Sequence, residues 1–115
     1  MERPILALSP MADMTDSAFC RTVRDICNPL NHSITSSLHH SPIVFREMVS
    51  SEAVVRKNKK TLNMITINPA ERPIVQQLFG SNPEVMAEAA RKIEEEHHPE
   101  GFDINMGCPV YKIVH

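Results

Sequence analysis

Gly101-Phe102-Asp103-Ile104-Asn105-Met106-Gly107-Cys108-Pro109-Val110 is a short apolar run that stops abruptly at an amide, a glycine, a thiol and a proline. Ordinary packing does not require Asn105 and Cys108 together where a strand turns into a loop. In α/β proteins, ligand chemistry is placed at the carboxyl ends of the strands. The stretch therefore predicts a strand from Phe102 to Asn105 that ends beside two candidate functional side chains.

Three further strand candidates precede this run, and each is short, apolar and closed by polar or turn residues. They are Ile5 to Leu8, Ile43 to Phe45 and Pro73 to Phe79. The segment from Leu62 to Ile67 is also apolar, and it predicts either a minor strand or a packed loop.

Capping residues predict helices between the strands. The predicted helices run from the cap Asp16 to about Cys27, from Ser50 or Ser51 to about Arg56, and onward from Asn82-Pro83. Phe19, Val23, Ile26 and Cys27 are expected on one face of the first helix. Residues 28–42, rich in Ser, His and Asn, predict an irregular surface loop.

The alternation of strands and helices predicts parallel strands joined by right-handed crossovers. Such strands form either part of a (β/α)8 barrel or part of a doubly wound sheet. The turn after the first strand reads Ser9-Pro10-Met11-Ala12-Asp13-Met14, which lacks the glycine-rich dinucleotide fingerprint. A closed barrel needs about 250 residues. We therefore predict an α/β fold, the N-terminal half of a (β/α)8 TIM barrel with about four parallel strands and intervening helices.

Composition narrows the class of protein. Of the 115 residues, 42% are apolar and 23% are charged, as in globular proteins, and the net charge of −2 provides no overall attraction for nucleic acid. No apolar run approaches the length of a membrane span, so no membrane association is expected. The three cysteines form no CxxC pair, which favours reduced thiols in a cytoplasm. The histidines match no zinc spacing, so no metal is expected.

Unusual polar groups stand at four predicted strand ends: Pro10-Met11-Ala12, Glu47, Gln77, and Asn105 with Cys108. Parallel adjacent strands would bring all of them to one rim. The amides of Gln77 and Asn105 suit the edge of a planar heterocycle, because each amide offers a donor and an acceptor. The Cys108 thiol could give a proton to a developing carbanion.

Each of these residues also has an ordinary structural interpretation. Gln77 can simply point inward among strand side chains, and Asn105 is a common turn residue. Cys108 can be a small buried hydrophobe, and Glu47 a solvated or salt-bridged carboxylate. Taken singly, the structural interpretations are favoured, whereas their coincidence at successive strand ends favours a shared site.

The same segments, in this order, resemble the motifs of the tRNA-dihydrouridine synthases. The segments are Pro10-Met11-Ala12 with Thr15-Asp16, Glu47-Met48-Val49-Ser50, Gln77-Leu78-Phe79-Gly80-Ser81 and Asp103-Ile104-Asn105-Met106-Gly107-Cys108-Pro109. The resemblance spans roughly residues 5 to 115, and its last motif is the most specific.

The resemblance implies an FMN-dependent enzyme that reduces uridine in tRNA to 5,6-dihydrouridine, with NADPH as reductant. It implies that Pro10, Met11 and Ala12 lie against the flavin and that Gln77 contacts the flavin ring. It further implies that Asn105 helps hold the flavin and the target uracil. Cys108 would be the general acid that protonates C5 of uracil while a hydride reaches C6.

The chain also departs from the family pattern. The family usually has glycine at the position of Asp13, and a shorter link than residues 28–42. The resemblance places the flavin-phosphate site and a helical tRNA-binding domain in later sequence, so residues 1–115 are expected to be a partial FMN-binding TIM-barrel catalytic domain. The alternatives are another FMN barrel of the dihydroorotate dehydrogenase type and a non-catalytic truncated product.

Overall fold

The computed structural model describes residues 5–27 and 42–107, where strands and helices alternate along the chain. The strands are β1 (Ala7–Leu8), β2 (Ile43–Ser50), β3 (Ile74–Phe79) and β4 (Gly101–Ile104). The helices are α1 (Ser17–Cys27), α2 (Ser51–Val55), α3 (Lys59–Ile65) and α4 (Pro83–His97), and a 3-10 turn covers Pro69–Glu71.

The four strands form one parallel sheet in the order β1-β2-β3-β4. Strands that are consecutive in sequence are therefore neighbours in space, with helical segments in the links from β2 to β3 and from β3 to β4. This is how successive strands of a (β/α)8 barrel are arranged. The prediction of an α/β fold that corresponds to the N-terminal half of a TIM barrel is confirmed.

One face of the sheet packs against the helices in two apolar clusters. The larger cluster contains Val49, Val54, Ile65, Leu78, Ala89 and Ile93, and the smaller one contains Cys20, Val44 and Ile74. Leu78 belongs to the larger cluster and Phe102 packs against it. Because side chains alternate along a strand, their neighbours Gln77 and Asp103 lie on the other face, which corresponds to the interior of a barrel.

The predicted capping residues are confirmed. Asp16, Ser50 and Asn82 each accept a hydrogen bond from a backbone N–H in the first turn of α1, α2 and α4, respectively. These bonds satisfy donors that the helix itself leaves without a partner. The starts of these helices are therefore determined by local sequence.

The prediction of a strand or loop over Leu62 to Ile67 is wrong, because most of this segment belongs to α3. Asn58 starts the helix by accepting a hydrogen bond from Thr61 N at 3.2 Å. Thr61 and Ile65, four residues apart, are the buried positions of α3. The first turn, Lys59-Lys60, is charged, so the apolar run in the sequence showed only the later part of the helix.

Other predicted boundaries are only partly confirmed. β2 continues past Phe45 to Ser50, whereas β1 is limited to Ala7–Leu8. In α1 the buried residue is Cys20, and Ile26, which was expected on the apolar face, is exposed. The sequence obscured the length of β2 because its second half contains charged residues that the fold buries. Residues 28–41 of the predicted surface loop lie outside the described residues.

Candidate functional site

The two amides predicted to share a rim are in contact. Gln77 lies in the second half of β3 and Asn105 directly follows β4. Asn105 Nδ2 lies 3.5 Å from Gln77 Oε1 and 3.3 Å from Met48 Sδ, while Asn105 N donates to Leu78 O at 2.9 Å. This backbone hydrogen bond fixes Asn105, the first residue after β4, at the carboxyl edge of the sheet.

Asp103 completes this group of polar side chains. Gln77 Nε2 donates to Asp103 Oδ2 at 2.5 Å, and the two residues are direct partners in the β3–β4 pairing. Asn105 Oδ1 accepts from Gly107 N at 3.1 Å. The sequence interpretation assigned no role to Asp103. Its position two residues before Asn105, on the same face of a strand, is the signal that could have identified it.

The loop that contains Pro10, Met11 and Ala12 follows β1 and is anchored by one hydroxyl. Thr15 Oγ1 donates to Met11 O at 3.1 Å and accepts from Met11 N at 3.0 Å. Thr15 is completely buried, whereas the Met11 side chain is half exposed. The loop is therefore held from below while its apolar tip stays accessible.

Glu47 links this loop to the end of β2. Glu47 is buried, and its Oε2 accepts from Asp13 N at 2.8 Å. The interpretation of Glu47 as a solvated or salt-bridged carboxylate is wrong, since a backbone amide is its partner. Asp13 has φ of 61°, a left-handed conformation that glycine adopts without strain and aspartate tolerates. This conformation explains why a glycine suits the position of Asp13.

The predicted site residues are thus only partly brought together. Gln77 meets Asn105, and the loop after β1 meets Glu47 through Asp13. Within residues 5–27 and 42–107, no hydrogen bond joins Pro10, Met11 or Ala12 to either amide. Cys108 lies outside the described residues.

A buried ion pair lies on the helix-facing side of the sheet, below the rim. Arg46 Nη1 and Glu71 Oε2 are 2.6 Å apart, with side chains that are 3% and 0% exposed. Arg46 also donates to the carbonyls of Thr66 and Met64, and the Ser17 hydroxyl donates to Glu71 Oε1. The sequence interpretation missed this pair, because only the fold brings β2 next to the 3-10 turn.

Gln76 joins β2 to β3 where their pairing is irregular. The register shifts between Arg46 and Val49, and Gln76 Nε2 donates to Glu47 O at 3.0 Å and to Gln77 O at 3.1 Å. Gln76 is completely buried. The bond to Glu47 O therefore gives one side-chain contact between β2 and β3 where their register shifts, directly beside two residues of the rim.

Two further properties bear on the kind of site that the chain can form. In the part of the chain that the structure describes, no three His, Cys, Asp or Glu side chains are grouped to hold a metal ion. Across those same two ranges, no helix combines the length and the apolar character that a membrane span requires. The groups present at the rim are amides, carboxylates and backbone, which are groups capable of hydrogen bonding to an organic ligand.

Comparison with known proteins points to one family. The family described as "Dihydrouridine synthase (Dus)" matches residues 6–115. The chain is 41% identical over 106 residues to the "Probable tRNA-dihydrouridine synthase" of Treponema pallidum, covering 92% of this chain and 27% of that protein. It is 37% identical over 107 residues to the protein of the same name from Aquifex aeolicus, covering 93% of this chain and 29% of that protein.

The chain therefore spans less than a third of the length of these two relatives. The match nevertheless runs through almost all of its sequence, including the loop after β1 and the segment that follows β4. The four parallel strands and the meeting of amides at their carboxyl edge agree with it. On this evidence the chain belongs to the dihydrouridine synthase family.

Proposed function

We propose that residues 1–115 form part of the FMN-binding catalytic barrel of a tRNA-dihydrouridine synthase, which reduces uridine in tRNA to 5,6-dihydrouridine with NADPH. The observation that carries this proposal is the contact between Gln77 and Asn105 at the carboxyl edge of a parallel sheet, in a chain of this family. In this proposal tRNA is the macromolecular substrate and the cytoplasm is the site of action.

The side chains at the rim fit FMN. One edge of the flavin ring alternates carbonyl oxygens with ring nitrogens, and the amides of Gln77 and Asn105 supply both donors and acceptors for such an edge. The half-exposed Met11, with Pro10 and Ala12 beside it, offers an apolar surface for a flat ring. We propose that these five residues hold the flavin ring.

The proposed chemistry divides between the flavin and this chain. Bound FMN, once reduced by NADPH, would supply the hydride for C6 of uracil. Cys108 donates a proton to C5, so that the negative charge formed on the uracil is quenched and the thiol becomes a thiolate that solvent reprotonates. Asn105 orients the uracil and hydrogen-bonds to it as this charge develops. Gln77 positions the edge of the flavin ring.

The phosphate of FMN and the body of the tRNA need further binding groups. We propose that the parts of the family's proteins outside the matched third supply them, as the resemblance implies. Residues 1–115 alone are then expected to show little or no turnover, because the ring-binding side chains act without a phosphate site or a tRNA-binding domain.

The experiment extends this chain with the C-terminal part of the Treponema pallidum relative and measures bound flavin by absorbance. Dihydrouridine formed in unmodified tRNA is measured by mass spectrometry. We expect a yellow protein with NADPH-dependent activity. Cys108→Ala should keep FMN and lower the rate by about 10²- to 10⁴-fold, the usual contribution of a general acid.

Cys27→Ala is the matched control, because Cys27 lies at the end of α1, far along the chain from the strand ends, and should keep the full rate. A colourless extended protein would contradict the proposed FMN site. An unchanged rate in Cys108→Ala would contradict the role of Cys108. Oxidation of dihydroorotate without activity on tRNA would favour the dihydroorotate dehydrogenase alternative.

A further inference from the structure

A continuous series of hydrogen bonds runs along the rim and joins Asp103, Gln77, Asn105 and Gly107. Gln77 Nε2 donates to Asp103 Oδ2, Asn105 Nδ2 approaches Gln77 Oε1, and Gly107 N donates to Asn105 Oδ1. In every link a nitrogen faces an oxygen. This series of hydrogen bonds starts at the Asp103 carboxylate and ends at the backbone N–H of Gly107, the residue before Cys108.

The Asp103 carboxylate determines which atom donates and which atom accepts in every hydrogen bond of this series. An ionised Asp only accepts hydrogen bonds, so Gln77 must turn its nitrogen toward Asp103. Its oxygen must then face Asn105, which in turn must present its nitrogen to Gln77 and its oxygen to Gly107. Without the carboxylate, each amide has two orientations of nearly the same shape.

We infer that Asp103 is a positioning residue that sets the orientation of both rim amides and, through Asn105, holds the start of the segment that leads to Cys108. Asp103 lies in β4, two residues before Asn105, and accepts a hydrogen bond from Gln77 on the neighbouring strand β3. Its effect on flavin binding and catalysis rests on the proposed function, but its effect on the amides does not.

Burial makes the orientation of Gln77 consequential. The residue is 8% exposed, so water cannot readily replace a partner that is lost when the amide turns round. A reversed Gln77 would place an NH2 group against the NH2 group of Asn105. Asn105 would then have to turn as well, and it would lose the bond to Gly107 N.

The first experiment measures the side-chain amide resonances of Gln77 and Asn105 by 15N NMR on the 115-residue chain, at a dilution at which sedimentation velocity detects only the monomer. In the unchanged chain we expect one set of resonances with slowed hydrogen exchange for the Gln77 amide. Asp103→Asn should remove this protection and give two sets, one for each orientation. A single protected set in Asp103→Asn would overturn the inference.

Glu100→Gln is the matched control. Glu100 is also a carboxylate of the β4 region that bonds to β3, since its Oε2 accepts from Ile74 N at 2.6 Å. It lies at the opposite end of β4 from the rim. Glu100→Gln should therefore leave the resonances of Gln77 and Asn105 unchanged, even where it lowers thermal stability as much as Asp103→Asn does.

A double variant, Asp103→Asn/Gln77→Glu, provides a rescue test. It moves the acceptor-only carboxylate from β4 to β3, where it can accept from both neighbouring amides. The Asn105 resonances should return to a single set. Continued doubling of the Asn105 signals in a folded double variant would contradict the inference that acceptor-only chemistry orients Asn105.

The second experiment uses the chain extended with the relative's C-terminal part. Asp103→Asn should weaken FMN binding by about tenfold and shift the flavin absorption bands, as expected for one misdirected buried hydrogen bond, while Glu100→Gln should change neither. Unchanged FMN affinity and spectrum in Asp103→Asn would refute the role of Asp103 in the site. If the extended protein without any substitution is colourless, this would instead refute the proposed function, and the NMR result would still test the inference.

Discussion

Single buried side chains hold the loop after β1 in place. The Thr15 hydroxyl bonds to both the N–H and the C=O of Met11, and the Glu47 carboxylate bonds to Asp13 N. Buried polar groups without partners are costly, so each of these bonds restricts the loop strongly. The turn that is proposed to contact the flavin is thus shaped by residues below it.

The Cys20 thiol is buried, and this burial raises its pKa from the ordinary 9.0 to about 11. Because the thiolate is the reactive form, we predict that iodoacetamide at pH 8 modifies Cys27 but leaves Cys20 intact until the chain unfolds. Peptide mapping by mass spectrometry measures both. Rapid modification of Cys20 in the folded chain would contradict its assigned environment.

The same shift has a consequence for alkaline stability. The folded state keeps the Cys20 proton to higher pH than the unfolded state does. The contribution of Cys20 to the free energy of unfolding is therefore fully present below pH 9 and is lost as the pH rises toward 11. Cys20→Ala should make denaturant midpoints less dependent on pH over this window. An identical pH dependence in Cys20→Ala would show that other groups cause the decrease.

At the scale of elements, the buried pair of Arg46 and Glu71 joins β2 to the 3-10 turn that precedes β3. The pair connects to α1 as well, because Arg24 Nε donates to Glu71 O at 2.8 Å. Gln76 joins β2 to β3 on the same face of the sheet. The carboxyl half of β2, which carries Glu47, is therefore held on two sides by polar contacts.

We predict that Glu71→Gln lowers the free energy of unfolding by about 3 kcal/mol, because it leaves the buried Arg46 charge without a counter-charge. Urea denaturation followed by circular dichroism measures the change. Glu88→Gln is the control, since the Glu88–Lys92 pair of α4 is exposed and should contribute nothing measurable. Equal effects of the two variants would contradict the prediction.

At the scale of the molecule, apolar side chains stay exposed near both outer strands of the sheet. Ile5 and Leu6 precede β1, whereas Ile104 and Met106 stand at the end of β4. In the described residues β1 and β4 each have a neighbour on one side only. Exposed apolar groups beside open strand edges favour association with another chain or segment.

The 115-residue chain produced alone is therefore expected to self-associate and to bind the dye ANS, which sedimentation velocity and fluorescence measure. Ile104→Lys/Met106→Lys should reduce both signals by adding charge at the β4 edge. Glu95→Lys adds the same net charge on α4, away from this edge, and should not reduce them. Equal effects of both changes would point to net charge rather than the edge.

The elements of this protein follow from its sequence to a large extent. Asp16, Ser50 and Asn82 marked helix starts correctly because a cap bonds to amides within three residues of itself. The alternation of elements predicted the parallel sheet, and four motifs in order, of which the one from Asp103 to Pro109 is the most specific, predicted the family. α3 was missed because its capping residue, Asn58, stands in a charged run that conceals the helix.

The detailed site depended on contacts between residues far apart in the chain. Glu47 and Asp13 are 34 residues apart, Gln77 and Asp103 are 26 apart, and Arg46 and Glu71 are 25 apart. The amino-acid sequence by itself determined which elements form and which amides stand near strand ends, since these are properties of contiguous residues. Only the tertiary structure decided which polar groups meet, because strand register and side-chain packing select each partner from many of the same chemical type.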